Sequence, residues 1–219
     1  MHTENKIAIV IGATGLVGKA LVLELCKDAY FKKIIVFHRR SIELDNPKIE
    51  EHIINFDSLE TWSHLINGDV IFSCMGTTLK TAGSKQAQYL VDYTYQYAFA
   101  KAACTNGVKS LLLVSSAGAN EKSKVFYLKM KGELEKALAQ LSFKCIYFIR
   151  PNLLVGERKE IRIGEVFAEK ILYVLNKIGL FRSQTPITAT NVAKNLIFAY
   201  KEGHTGLKIL EGRTLRNFK

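Results

Sequence analysis

The sequence predicts an α/β fold built on a doubly wound parallel sheet. Short, continuous apolar runs recur along the chain, and a run with no polar alternation reads as a strand buried on both faces. Segments with apolar residues at helical spacing alternate with these runs, which implies right-handed crossovers between parallel strands. A glycine turn joins the first run to the first helical segment.

Size and composition narrow the class. A chain of 219 residues is long enough for one sizeable core and short for two ordinary domains. Only three prolines occur, and no Gly/Ser-rich stretch or repeat marks a linker. No apolar run is long enough to cross a membrane as a helix. Met1–Asn5 give way at once to the first strand, so the reading expects no signal peptide and a cytoplasmic protein. Cys26, Cys74, Cys104 and Cys145 lie far apart in apolar segments, the pattern of reduced, packed thiols. The five histidines show no ligand spacing either, so no metal is expected. Net charge is +11, from 31 basic and 20 acidic side chains. The lysines are scattered, with no basic helix, so the charge reads as a solvated surface that partly serves an anionic ligand and not as a nucleic-acid interface.

The first strand, Lys6–Ile11, runs into Gly12-Ala13-Thr14-Gly15-Leu16-Val17-Gly18 and then a helix with Val17, Ala20, Leu21 and Leu25 on one face. Strand, glycine turn and helix in that order build a phosphate site. Gly12 permits the tight turn, Gly15 lets backbone approach a pyrophosphate, and Gly18 lets the helix lie on the strand. The first-turn amides, around Thr14, Leu16 and Val17, then face the anion. The bland alternative is a turn that merely connects two elements.

The second strand, Lys33–Arg40, ends in Arg39 and Arg40, where an acidic residue would bind the 2′-hydroxyl of NAD. Guanidinium groups there suit a 2′-phosphate, so NADP(H) is expected over NAD(H), with Glu43 and Asp45 nearby as opposing charges. The third strand, Glu51–Asp57, ends at Asp57, either beside an adenine edge or as a helix N-cap. The fourth, Gly68–Gly76, closes on small residues, Cys74, Gly76 and Thr77, which let the chain pass close to a cofactor. Nothing beside Cys74 would lower its pKa, so it reads as packing. A long helix over 84–105 carries Tyr89, Tyr93, Tyr95, Tyr97 and Phe99, expected as a core-facing stripe, and ends at Asn106-Gly107. The fifth strand is Ser110–Ser116 and the sixth Cys145–Ile149, ending in Arg150-Pro151-Asn152. Beyond come a helix over about 166–178, a short strand Pro186–Thr188, a helix from Asn191 to about Tyr200 and a last strand, Leu207–Leu210. Phe167, Leu172, Phe181 and Ile187 serve there as core or as pocket walls.

The strand ends also carry a candidate for chemistry. A tyrosine ionises near pH 10, too high for easy proton exchange at neutrality, and a lysine one helical turn on stabilises its phenolate. Tyr127 and Lys131 have that spacing and follow the fifth strand, whose end brings a serine hydroxyl to hold a substrate oxygen. Alternation along the strand favours Ser116, with Ser115 the alternative. Tyr97–Lys101 and Tyr173–Lys177 share the spacing but lie in the wrong places relative to that strand.

Together, Gly12-x-x-Gly15-x-x-Gly18, Arg39-Arg40, Gly76-Thr77-Thr78, Ala82-Gly83, Val91-Asp92, Ser115-Ser116, Tyr127-x-x-x-Lys131-Gly132-Glu133 and Arg150-Pro151 resemble an atypical short-chain dehydrogenase/reductase. The chain is most similar in motif to the Tat-interacting-protein-like NADP-binding oxidoreductases, weakening past about residue 165. The resemblance implies one Rossmann-type domain over residues 1–219, in which about 152–219 supply a small substrate-side lobe. It also implies that the loop after Pro151, with Asn152, Leu153 and Leu154, borders the nicotinamide, and that homodimers are common among relatives. The superfamily's active-site asparagine has no counterpart that the sequence identifies. The expected function is NADP(H)-dependent oxidoreduction of a small carbonyl or hydroxyl compound, with a cofactor-sensing regulator as the rival reading and a nucleic-acid binder as a weaker one.

Overall fold

The computed structural model describes residues 5–152, 154–155 and 187–218. Leu153, the expected helix over 166–178, and Phe167, Leu172 and Phe181 lie outside them. Strands β1 (Lys6–Ile11), β2 (Phe31–His38), β3 (Ile49–Ile53), β4 (Val70–Ser73), β5 (Ser110–Val114) and β6 (Cys145–Arg150) join one parallel sheet. A two-stranded pair, β7 (Leu154–Val155) with β8 (Ile187–Thr188), stands apart from it. The last strand, β9 (Gly206–Glu211), pairs parallel with β6 and completes a seven-stranded sheet of order β3-β2-β1-β4-β5-β6-β9. The order reverses between β1 and β4, and in such sheets ligands bind beyond the strand ends at that reversal.

The continuous apolar runs have the expected consequence. Residues alternate faces along each strand, so every strand must be apolar on both sides when helices cover both. Ala8 and Val10 of β1 face one layer, made by helix α1 (Leu16–Lys27) with the helix Ala189–Lys201, through Val17, Leu21, Leu25, Val192 and Leu196. Ile9 and Ile11 face the other, where Phe99, Leu134 and Leu138 pack.

That second layer holds the main correction to the sequence reading. The helical stretch starts at Ser84, whose side chain accepts the Ala87 N–H, but it is not one regular helix. Short helices α2 (Leu59–Trp62) and α3 (Leu79–Ala82) precede it; α4 (Lys85–Tyr89) then passes through a π-helical turn, Leu90–Thr94, into α5 (Tyr95–Thr105). The inserted turn shifts the angular register. Tyr95 and Phe99 are buried as expected, whereas Tyr89, Tyr93 and Tyr97 stack along a half-buried flank, with centroids 4.7 and 6.1 Å apart. Helix α6 (Phe126–Ala139) carries Tyr127 and Lys131.

Strand bounds differ where backbone leaves the sheet to form the site. β3 stops at Ile53, so Asp57 lies in a turn beyond it, and β4 stops at Ser73, before Cys74. Helix α7 (Ala189–Lys201) and β9 place much of 187–218 within the main layers: α7 packs on α1, and β9 extends the sheet.

Candidate functional site

The carboxyl ends of β1, β2, β4, β5 and β6 lie along one edge of the parallel sheet. Gly12, Arg39, Cys74–Thr77, Ser115–Ser116 and Pro151–Asn152 therefore follow adjacent strands on one side of it.

At β1 the three glycines do different work. Gly12 has φ +81°, and a Cβ there would lie 2.4 Å from the Cys74 carbonyl carbon. A Cβ on Gly18 would lie 2.1 Å from the Gly12 oxygen, so this glycine seats α1 on the strand. Gly15 is different: its nearest neighbour would be the Gly12 oxygen at 3.3 Å. The protein hardly requires a glycine there, whereas a closely approaching pyrophosphate would. Thr14, Gly15 and Leu16 are exposed, and no side chain caps the start of α1. Val17 is buried and anchors the first turn into the core. This is the amide cradle that an anion needs.

At β2, Arg39 and Arg40 are both exposed, and neither makes an ion pair among the described residues. Glu43 and Asp45 do not engage them. The loop after the arginines is held by Glu51 of β3, whose carboxylate accepts from the Ser41 hydroxyl at 2.9 Å and the Ile42 N–H at 2.7 Å. The same carboxylate lies 2.8 Å from His38 Nε2. Asp57 does not cap α2; Ser58 occupies that position. Its carboxylate instead accepts the Tyr95 hydroxyl at 2.7 Å, and burial together with that bond pushes the Tyr95 phenol up to about 12.

At β4 and β5 the proton-handling groups meet. The Ser116 hydroxyl donates to the Ala117 carbonyl at 3.3 Å and lies close enough to the Tyr127 phenol to draw its pKa down, while the Ser115 Oγ is buried with no hydrogen-bond partner among the described residues. Gly132 explains how the serine comes so close. A Cβ there would lie 2.2 Å from the Glu121 nitrogen, so the 117–121 loop lies directly on α6, and Asn120 N–H donates to the Leu128 carbonyl at 3.0 Å. Burial lifts the Tyr127 phenol above its ordinary value; Lys131 pulls it down, Asp92 pushes it up, and the Ser116 hydroxyl pulls it down again. The net direction is upward. Cys74 is held up to about 12 by burial, the thiol of a packing residue and not a nucleophile.

Asp92 is the site residue that the sequence reading assigned no role. It sits in the π-helical turn at 1% exposure; its Oδ1 lies 2.9 Å from Lys131 Nζ, and its Oδ2 accepts the Thr77 N–H at 2.7 Å. Gly76 lies beside it, and a Cβ there would make only an ordinary contact with Oδ1 at 3.4 Å. A carboxylate inside an apolar helical stretch needs a partner, and that was the available signal. Burial opposes the Lys131 charge, yet Asp92, then Tyr127 and Glu135, outweigh it and hold the ammonium above its ordinary value.

At β6, Ala117 N–H donates to the Pro151 carbonyl at 3.1 Å, which joins this loop to the serine loop. Asn152 Oδ1 is buried without a hydrogen-bond partner among the described residues. An uncapped amide cradle at one end and an unsatisfied buried acceptor at the other fit a bound dinucleotide. Among the described residues no group of His, Cys, Asp or Glu is gathered to hold a metal ion, and no helix is long and apolar enough to cross a membrane.

Fold and strand-end site together define a nucleotide-binding protein of Rossmann-like fold. Residues 12–162 match the family described as NAD(P)H-binding, and the chain belongs to that family. It is 36% identical over 203 residues to "Protein FMP52, mitochondrial" of Candida albicans, covering 90% of this chain and 89% of the relative. It is 33% identical over 171 residues to Protein HTATIP2 of Rattus norvegicus, covering 76% of this chain and 70% of the relative. Among solved structures, Bordetella bronchiseptica WbmG in complex with NAD superposes with a TM-score of 0.70 at 14% identity, over 96% of this chain and 73% of that one, a likeness of fold. The comparisons correct one expectation. Relatives from Candida albicans, Meyerozyma guilliermondii and Saccharomyces cerevisiae are named mitochondrial, which overturns the cytoplasmic assignment. An N-terminus without a secretory signal does not decide between those compartments.

Proposed function

We propose that this protein is an NADP(H)-dependent oxidoreductase acting on a small carbonyl or hydroxyl compound, and that it works in the mitochondrion as its FMP52 relatives are named. The observation that carries the reading is the placement of Ser116 beside the Tyr127 phenol, with Lys131 one turn along the same helix and its Nζ 5.8 Å from the Tyr127 ring centroid. Gly12, Thr14, Gly15, Leu16 and Val17 would hold the pyrophosphate, and Arg39 and Arg40 the 2′-phosphate. Asp57 would border the adenosine end; Cys74, Gly76, Thr77 and Ser115 would line the middle, with Pro151, Asn152 and Leu153 at the nicotinamide. The cofactor, when bound, exchanges a hydride with the substrate carbon.

The chain's own groups handle the proton. Ser116 would hold the substrate oxygen against the Tyr127 hydroxyl, which donates to the oxygen during reduction and accepts from it during oxidation. Lys131 would supply the positive charge that makes the phenolate accessible and would hold the nicotinamide ribose. Of residues about 152–219, the β7–β8 pair would lie on the substrate side, whereas α7 and β9 belong to the main layers. The test is fluorescence titration with NADPH and NADH, then a carbonyl screen with the tighter one. Tyr127→Phe is expected to keep NADPH affinity and lose roughly a hundredfold or more of turnover; unchanged turnover would refute the assignment.

One observation favours a second reading, a cofactor-sensing regulator with little turnover. The Tyr127 phenol sits among opposing influences, burial and Asp92 raising its pKa and Lys131 and Ser116 lowering it, with the upward ones prevailing. That reading expects tight NADPH binding and no cofactor oxidation across the whole carbonyl panel.

A further inference from the structure

We infer that Asp92 is the positioning residue of this site: it fixes the charge and place of Lys131 and ties that ammonium to the strand end along which the cofactor would lie. The role rests on the reading above; the contacts do not.

Three observations build it. First, the carboxylate is shared between two elements that are remote in sequence, Lys131 Nζ from α6 at 2.9 Å and the Thr77 N–H beyond β4 at 2.7 Å. Second, both partners of the ion pair are almost wholly buried, Asp92 at 1% and Lys131 at 2% exposure. An isolated ammonium at such a depth tends to lose its proton, and an isolated carboxylate to gain one. Third, the π-helical turn that points Asp92 inward is itself braced. Gln96 Nε2 donates to the Asp92 carbonyl at 2.7 Å, the Ser73 hydroxyl donates to Gln96 Oε1 at 2.7 Å, and Gln88 Nε2 donates to the Thr77 carbonyl at 3.1 Å. Buried polar groups braced on several sides in this way favour one arrangement.

The groups that face Lys131 are the Asp92 carboxylate from the π-helical turn and the Tyr127 phenol and Glu135 carboxylate from α6; the loop after β4 contributes the Thr77 backbone to Asp92, and the loop after β5 places the Ser116 hydroxyl beside Tyr127. Glu135 is itself forked by Arg150, so Asp92 is the counter-ion that Lys131 does not share with an arginine. The ion pair with Asp92 holds the ammonium in place, and its N–H donors remain to serve a ribose while its charge supports Tyr127. Asp92 therefore determines whether Lys131 is a cation at the pH where the site works.

The test is Asp92→Asn, which keeps the shape and the acceptor for Thr77 N–H but removes the charge. Lysine NMR with 15N at Nζ, assigned through Lys131→Met, reads the titration of Lys131 without any ligand. The Lys131 midpoint is expected to fall by about one pH unit or more in the variant; an unchanged midpoint overturns the proposal. NADPH titration then reads the consequence. Wild-type affinity is expected to stay flat between about pH 7 and pH 9.5, while the variant binds at least about twofold more weakly at the upper value, the loss growing with the size of the fall in the Lys131 midpoint. A shifted midpoint with no pH dependence of binding overturns the positioning role. Should Asp92→Asn fold poorly, the double variant Asp92→Asn, Lys131→Met is expected to fold better than the single, because it removes the orphaned ammonium; equal instability of the two would also overturn the proposal. Failure of the enzymatic reading shows separately, as absent turnover in the wild type with the NMR shift intact.

Discussion

The Arg150 guanidinium forks onto the Glu135 carboxylate, with Nε 3.0 Å from one oxygen and Nη2 2.6 Å from the other. This planar, two-point contact joins the end of β6 to α6 one turn beyond Lys131 and fixes the helix that presents Tyr127. Arg150 also reaches Glu211 of β9 at 3.2 Å, a contact on a half-exposed carboxylate and worth little by comparison. Arg150→Ala leaves Glu135 buried without its partner and is expected to cost about 3 kcal/mol in urea unfolding. Replacing both residues by leucine is expected to recover most of that loss. A double-mutant cycle with no coupling would show that the fork does not hold the helix.

The glycine turn separates a structural role from a binding role. Gly12→Ala must place a Cβ against the Cys74–Met75 peptide at a positive φ, so it is expected to lose roughly 3 kcal/mol or more of stability. Gly15→Ala meets only the Gly12 oxygen at 3.3 Å and is expected to stay within about 1 kcal/mol of the wild type. Its NADPH affinity is nonetheless expected to fall about tenfold or more, since the methyl group occupies the space of the approaching phosphate. Thermal melts with and without NADPH distinguish the two. A Gly15→Ala protein that binds normally would remove the phosphate from this turn.

How much of this was legible in the sequence follows from the range of each interaction. The parallel sheet and the glycine turn are local signals, since each apolar run and each tight turn states its own requirement. The Tyr127–Lys131 spacing was likewise local, whereas β5 ends at Val114, ahead of both serines, so strand alternation does not decide between Ser115 and Ser116. Asp92 was not legible, because its partners come from α6 and the end of β4 and only the folded chain brings them together. The aromatic faces were misread for a different reason. On a regular wheel of about 100° per residue Tyr89, Tyr93 and Tyr97 already fall on one side and Tyr95 and Phe99 on roughly the opposite one, so a single core stripe could not hold all five; Tyr95 and Phe99 reach the core and the other three stack on a flank. Arg150 stood out in the sequence, but Glu135, which gives it a role, did not.

The two arginines beyond β2 bear on cofactor choice. Both are exposed and neither is committed to a carboxylate among the described residues, so their charge is available to a 2′-phosphate. Arg39→Ala and Arg40→Ala are each expected to weaken NADPH binding by about ten- to a hundredfold while leaving NADH nearly unchanged. Glu51→Gln loosens the loop that carries them and is expected to reduce the NADPH preference less than either arginine variant. Equal losses for both nucleotides would place the arginines elsewhere than at the 2′-phosphate.

His38 closes β2 directly ahead of those arginines and gives stability a specific pH dependence. Its ring is 3% exposed, and burial lowers its pKa from the ordinary value of 6.5, although Glu51 at 2.8 Å pulls the other way. In the unfolded chain the imidazole protonates at about 6.5, whereas the folded protein resists that proton. Below about pH 6.5 the unfolded state therefore binds more protons than the folded one, and stability falls as acid is added until the folded value is passed. Above it both states carry neutral rings and the contribution is constant. Carboxylates such as Glu51, whose pKa lies below its usual 4.5, add their own loss only at lower pH, so the window between about 6.5 and 5 isolates the histidine. Urea midpoints across that window are expected to decline in the wild type and to decline less in His38→Gln. Identical slopes in the two proteins would mean that His38 gains its proton as readily when folded as when unfolded.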